Sequence, residues 1–118
     1  MNLKQYKVIV METIIDPMID FMEDCDEDNY TIEDVEACKN LIYQYLEALA
    51  AMSEPSDDAI MEQVKNLVLA LNELNEKTDE GLIETEGREA IWEVIQNSAV
   101  ECGLKEYEDD ITEEWREW

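Results

Sequence analysis

The side chains able to do chemistry in this chain are almost all carboxylates, and the densest set is Glu23-Asp24-Cys25-Asp26-Glu27-Asp28-Asn29. Alternating acids in a loop between helices are how an EF-hand presents oxygen to calcium, and Asp24, Asp26 and Asp28 fit its first three ligand positions. Asn29 tolerates the turn that glycine normally makes. The fit fails at its closing position. The twelfth residue is Val35, where a bidentate carboxylate is required, and Thr31 replaces the usual apolar residue at the eighth. The expectation is weak condensation of cations on a solvated acidic loop, with no specific metal site and no cofactor.

The chain contains no histidine. That removes the commonest general base, the usual zinc ligand and every Ser-His or Cys-His nucleophile pair. Paired carboxylates alone can cleave glycosidic bonds, but one of them must have its pKa raised in a cleft. No spacing in the sequence marks such a pair, and the expectation is a protein that is not an enzyme. Cys25, Cys38 and Cys102 are an odd set with no C-x-x-C spacing. They read as reduced thiols of a cytoplasmic protein, packed as small hydrophobes.

Charge is the strongest signal. Asp and Glu number 32 against 8 Lys and Arg, for a net charge of −24. Such a field repels nucleic acid and anionic membranes and attracts basic partners. Disorder is excluded by a hydrophobic fraction of 46% that is periodically placed. The charge is also uneven: 23–36 holds eight acids and no base, 78–93 carries −5, and 105–118 carries −5. In contrast, 37–53 balances Lys39 against Glu47.

This contrast points to a contact face for a basic protein. Its candidate residues are Glu23, Asp24, Asp26, Glu27, Asp28, Glu33, Asp34 and Glu36, joined by Glu108, Asp109, Asp110, Glu113 and Glu114. A nuclease-type toxin is one partner of that kind. The competing expectation is a structural or assembly protein whose charge serves solubility. The expected state is a monomer or homodimer.

The elements that must carry these acids read as helices. Over 3–24, Leu3, Tyr6, Val10, Ile14, Pro17, Met18 and Phe21 recur in steps of three and four. Pro17 predicts a kink over 13–17, or a second helix capped by Asp16. Thr31 predicts the cap of the next helix, with Tyr30 and Val35 as a hydrophobic staple. Ile32, Val35, Cys38, Leu41, Ile42, Tyr45, Leu46, Leu49 and Met52 form its stripe. After the break at 53–56, Ser56 caps a third helix with Ile60, Met61, Val64, Leu67, Val68, Leu71 and Leu74 in a near a/d seam.

A connection at 78–85 leads to a fourth stripe of Ile91, Trp92, Ile95, Ser98, Ala99 and Cys102, with Trp92 in the core. Gly103-Leu104 is its stop signal. Ile111, Trp115 and Trp118, behind a cap at Asp110, predict a short docked helix. The fold class is therefore all-α: over 1–118, a single-domain antiparallel bundle of about four main helices plus a short C-terminal helix. Glu12 and Asp16 interrupt the first apolar run too early for a signal peptide, and no stretch is long enough for a membrane span.

Two resemblances accompany this reading. The run Gly81-Leu82-Ile83-Glu84-Thr85-Glu86-Gly87-Arg88-Glu89 and the ending Asp110-Ile111-Thr112-Glu113-Glu114-Trp115-Arg116-Glu117-Trp118 resemble a family of small acidic helical bacterial proteins without assigned activity. That likeness covers about the last third of the chain. It implies a bacterial, cytoplasmic setting and assigns no catalytic or binding residue. In size and charge the whole chain is also similar to immunity proteins that neutralise basic nuclease toxins.

Overall fold

A computed structural model describes residues 2–24, 30–107 and 109–118. The first rod begins at Asn2, whose side chain accepts the Gln5 N–H at 3.0 Å. It runs as α1 (Leu3–Val10), a π-helical turn (Met11–Ile15) and α2 (Asp16–Asp24). The chain stays helical through Pro17, and the expected disturbance takes the form of the π turn. Proline has no N–H and its ring crowds the carbonyl four residues back. A wider turn, in which the Asp16 N–H reaches back to the Met11 carbonyl, lets helix persist on both sides. Tyr6, Val10, Ile14, Ile15 and Met18 line its buried face.

Next comes α3 (Ile32–Ala51), opened by a full capping box: Thr31 accepts the Asp34 N–H and the Asp34 side chain accepts the Thr31 N–H. Tyr30 and Val35 are both buried beside it, as the staple requires. Val35, Cys38, Ile42, Tyr45, Leu46 and Leu49 form the buried stripe, whereas Ile32 is 44% exposed. Ser56 caps α4 (Asp57–Lys77) by accepting the Ala59 N–H. Its seam is buried at Ile60, Val64, Leu67, Val68, Leu71 and Leu74, together with two asparagines, Asn72 and Asn75.

The last helix, α5 (Thr85–Glu101), buries Ile91, Val94, Ile95 and Ala99. Trp92, expected in the core, is only partly covered, and Val94 takes that place on the buried side. The stop is a Schellman motif. Gly103 is left-handed at φ +112°, its N–H bonds the Val100 carbonyl, and the Leu104 N–H bonds the Ala99 carbonyl at 3.1 Å.

Three contacts relate the helices: the start of α3 meets the end of α4 through Asp34 and Lys77, Tyr6 of α1 hydrogen-bonds Glu101 of α5, and Lys7 of α1 pairs with Glu47 of α3. Among the described residues the secondary structure is all helical, and no helix is long and apolar enough to cross a membrane.

The closing segment docks through its apolar residues, as expected, but not as a helix. Ile111 and Trp118 are buried and Trp115 is partly buried, while 111–115 forms hydrogen-bonded turns. A single helical turn is poorly nucleated by itself. Here its backbone has better partners: Gln96 accepts the Ile111 N–H, Asn72 accepts the Glu117 N–H, and the Asn72 amide donates to the Trp115 carbonyl at 2.7 Å.

Candidate interaction surface

One end of the molecule gathers the close of α2, the opening of α3 and the connection between α4 and α5. Glu23 and Asp24 end α2 and are exposed, and Glu33 and Glu36 are exposed at the opening of α3. Asp34 differs from them: it is only 8% exposed. One of its oxygens accepts the Thr31 N–H at 3.0 Å and the other accepts from Lys77 Nζ at 3.3 Å. The Thr31 amide above all, helped by the Lys77 ammonium, holds the Asp34 carboxyl below its ordinary range. Asp34 therefore fastens the fold and has no oxygen turned to a partner. Asp26, Glu27 and Asp28 lie outside the described residues, as do the other loop positions of the calcium-like pattern, 25–29.

The α4–α5 connection adds acids that the expected face did not include: Glu76, Asp79, Glu80 and Glu84 are all exposed here. Buried polar side chains set its shape. Asn75 Oδ1 accepts the Ile83 N–H at 2.9 Å, and Thr78 Oγ1 accepts the Leu82 N–H at 3.2 Å while donating to the Asn75 carbonyl. Within this clamp Asp79 and Glu80 are forced into the left-handed region at φ +59° and +61°. Side chains other than glycine and asparagine enter that region at a cost of roughly 1–2 kcal/mol each. The tight fit at Asn75 and Thr78 thus leaves two strained acids facing water.

Between α2 and the start of α5 lies a groove of about 90 Å³, lined by Met18, Phe21, Tyr30, Leu82, Glu84 and Gly87 among others. Met18, Tyr30 and Leu82 form a buried floor, whereas Phe21 is 43% exposed. Tyr30 is fixed there by donating to the Met18 carbonyl at 2.9 Å.

The second set of predicted acids sits elsewhere. Asp110 pairs with Arg116 at 2.9 Å and accepts the Thr112 N–H, and Asp109, Glu113 and Glu114 are exposed. Glu108 lies outside the described residues. Glu113 and Glu114 border a cavity of about 410 Å³ that also touches Met61, early in α4. Asp34 is held by Lys77, at the far end of the same helix. At about 1.5 Å per residue those two points of α4 are roughly 24 Å apart. The expected union of 23–36 with 108–114 in one face is therefore corrected: a hydrophobic closing segment laid along α4 carries its acids to a different part of the surface.

Strongly perturbed groups are buried in the helix core and away from these cavities. Burial pushes the Cys38 thiol up to about 12. Burial likewise raises the Tyr45 hydroxyl, which donates to the Ile95 carbonyl at 3.1 Å and contacts Ser98 Oγ at 3.0 Å. Tyr6 is raised by burial first and by its bond to the Glu101 carboxylate next. These phenols and thiols are held in their neutral forms, as packing groups. Among the described residues no three His, Cys, Asp or Glu converge as a metal-binding group.

Residues that the sequence reading missed do the fastening. Asp57, expected only as a first-turn acid, accepts the backbone N–H groups of Lys105 and Glu106 at 3.0 and 3.1 Å. The one advance signal for Asn72 and Asn75 was their place on the apolar seam of α4.

Compared with known protein families, curated proteins and solved structures, the chain matches none.

Proposed function

We propose that this protein is a non-enzymatic acidic interaction protein that binds and occludes a basic protein surface, in the manner of a toxin-immunity or DNA-mimic-like inhibitor of the bacterial cytoplasm. The observation that carries the reading is the acidic end itself. Glu23, Asp24, Glu33, Glu36, Glu76, Asp79, Glu80 and Glu84 are exposed around one groove, and none of them holds an ion pair among the described residues. Asp26, Glu27 and Asp28 extend the same run in sequence.

Unpaired surface carboxylates of one sign stabilise the fold little and act mainly through their summed field. That field would speed encounter with a cationic surface, and apolar contacts would slow release. We read the contacts of α3 with α4 and of α1 with α5 as an antiparallel bundle, which brings one end of every helix to this surface. The alternative, a structural or assembly protein whose charge serves solubility, is favoured by the separate acids of the closing segment, which show that excess charge is not confined to one face.

The test begins with affinity capture from the native host at low salt. Captured cationic proteins are then compared on two triple variants of equal charge: Glu23→Gln, Asp24→Asn, Glu33→Gln at the acidic end, and Asp58→Asn, Glu62→Gln, Glu93→Gln elsewhere. The expected result is an on-rate several-fold lower for the first set only, with the difference vanishing as salt screens both. Equal on-rates, or no cationic partner at all, would move the assignment to the solubility role.

A further inference from the structure

We propose that the groove between α2 and the start of α5 seats one aliphatic side chain of a lysine- and arginine-bearing protein segment, giving the acidic end an apolar anchor inside a charged rim. The proposal rests on the acidic-surface reading above and adds to it the chemistry of what is recognised. The groove exists because position 87 has no side chain. A Cβ placed on Gly87 would meet only Met18 Cε, at 4.0 Å, so the space above it is open. Its floor is the buried apolar surface of Met18, Tyr30 and Leu82, and the exposed ring of Phe21 forms one wall. A volume of about 90 Å³ equals roughly three liquid waters, enough for the end of one side chain and too little for a second.

Charge selects the occupant. Glu84 lines the groove directly. Asp20 and Asp24 lie on the turns of α2 around Phe21, and no Lys or Arg occurs between Lys7 and Lys39. Of the bases nearby, Lys77 is engaged by Asp34, and Arg88 is partly covered on α5. A second copy of the chain would bring another −24 to this rim. Nucleic acid and anionic lipid are repelled in the same way. An aliphatic side chain with cationic neighbours satisfies floor and rim together. Contacts of that design, a desolvated apolar centre ringed by polar groups, carry most of the affinity in protein interfaces.

The experiment uses the full chain and two fluorescent peptides, each with three lysines on either side of a central residue, Leu in one and Ala in the other. Anisotropy at low salt is expected to give about ten-fold tighter binding for the Leu peptide, the ratio supported by burying the end of one aliphatic side chain. Gly87→Leu, which fills the groove, should bring the ratio close to one without weakening the Ala peptide. Phe21→Ser, at an exposed position that does not threaten folding, should do the same by removing a wall. Equal binding of both peptides to the unaltered protein overturns the groove and leaves the acidic-surface reading standing. A ratio that survives both variants places the anchor elsewhere and also overturns it. Failure of both peptides to bind removes the acidic-surface reading and the proposal with it. A dimer in sedimentation that Gly87→Leu dissolves would assign the groove to a second copy instead.

Discussion

The closing segment, 105–118, and the acidic end around 23–36 are alike in composition and opposite in how their backbones are satisfied. In the closing segment the helices supply the partners. Asp57 takes two of its N–H groups, Gln96 takes one, and Asn72 both gives and accepts. Its charges are drawn into the same arrangement: Arg116 pairs with Asp110 and lies over the Trp118 ring at 5.3 Å. At the acidic end, α2 and α3 satisfy their own backbones, and all their acids but Asp34 are left to solvent. An acid-rich segment becomes part of a fold when buried amides reach its main chain. It becomes a surface when its own helix has already met that need.

The sharpest way to break this contrast is to truncate one aromatic in each region. Trp118 is 9% exposed and Phe21 is 43% exposed. Trp118→Ala should cost about 3 kcal/mol in urea unfolding, near the low end for a large buried side chain. Phe21→Ala should stay within about 0.5 kcal/mol. Similar losses at both sites would show that the two regions are equally part of the core.

A smaller effect is expected at the clamp itself. Asn72→Ala removes a donor and an acceptor that serve two backbone groups, and should cost about 2 kcal/mol. Hydrogen exchange would report it locally, with the Glu117 amide losing protection and amides within α3 unchanged. If Glu117 keeps its protection, the closing segment is held by its aromatics alone.

Substitution in the α4–α5 turn should move stability the other way. Glu80 is left-handed at φ +61° and exposed, so Glu80→Gly should raise stability by about 1 kcal/mol. A loss on this change would mean that the Glu80 side chain has a fastening role comparable with that of Asp34.

The smallest effect concerns pH. Asp57 is held below its ordinary value of 3.8, chiefly by the N–H groups of Lys105 and Glu106. A carboxyl depressed in the folded state contributes stability above that ordinary value and loses it as pH falls through the folded one. Asp57→Asn should therefore flatten the acid side of the stability profile below about pH 4, where the ordinary carboxylate titrates. An unchanged profile would show that this carboxylate does not anchor the segment in solution.

Much of the helical architecture was legible because it is local. Thr31, Ser56 and the Gly103-Leu104 pair mark their helix ends by side-chain or backbone chemistry within a few residues, and the apolar stripes of α3 and α4 follow helical spacing. The closing helix was misread for the opposite reason. Ile111, Trp115 and Trp118 have helical spacing, but the decisive partners, Asn72 and Gln96, are far away in sequence. The same holds for the acidic surface. Composition located the acids at 23–36, yet it could not separate Asp34, which Lys77 engages across the molecule, from Glu33 beside it. Nor could it show that the left-handed turn falls on Asp79 and Glu80 with Gly81 available next to them.

The π turn at Met11–Ile15 makes the first rod a matter of phase. Each α-helical residue rotates the chain by about 100°, so deleting one residue there to restore a regular helix would swing Tyr6 and Val10 by about that angle relative to Ile14 and Met18. Tyr6 would then leave Glu101, and Lys7 would leave Glu47, although nothing in α1 itself had changed. Point substitutions among the apolar residues of this turn can be absorbed by neighbouring side chains. A change of length cannot. In any lineage of such chains, insertions and deletions at 11–15 are therefore excluded more strictly than changes of residue type. A gap misplaced there in an alignment would assign the wrong buried face to everything from Val10 back to Leu3.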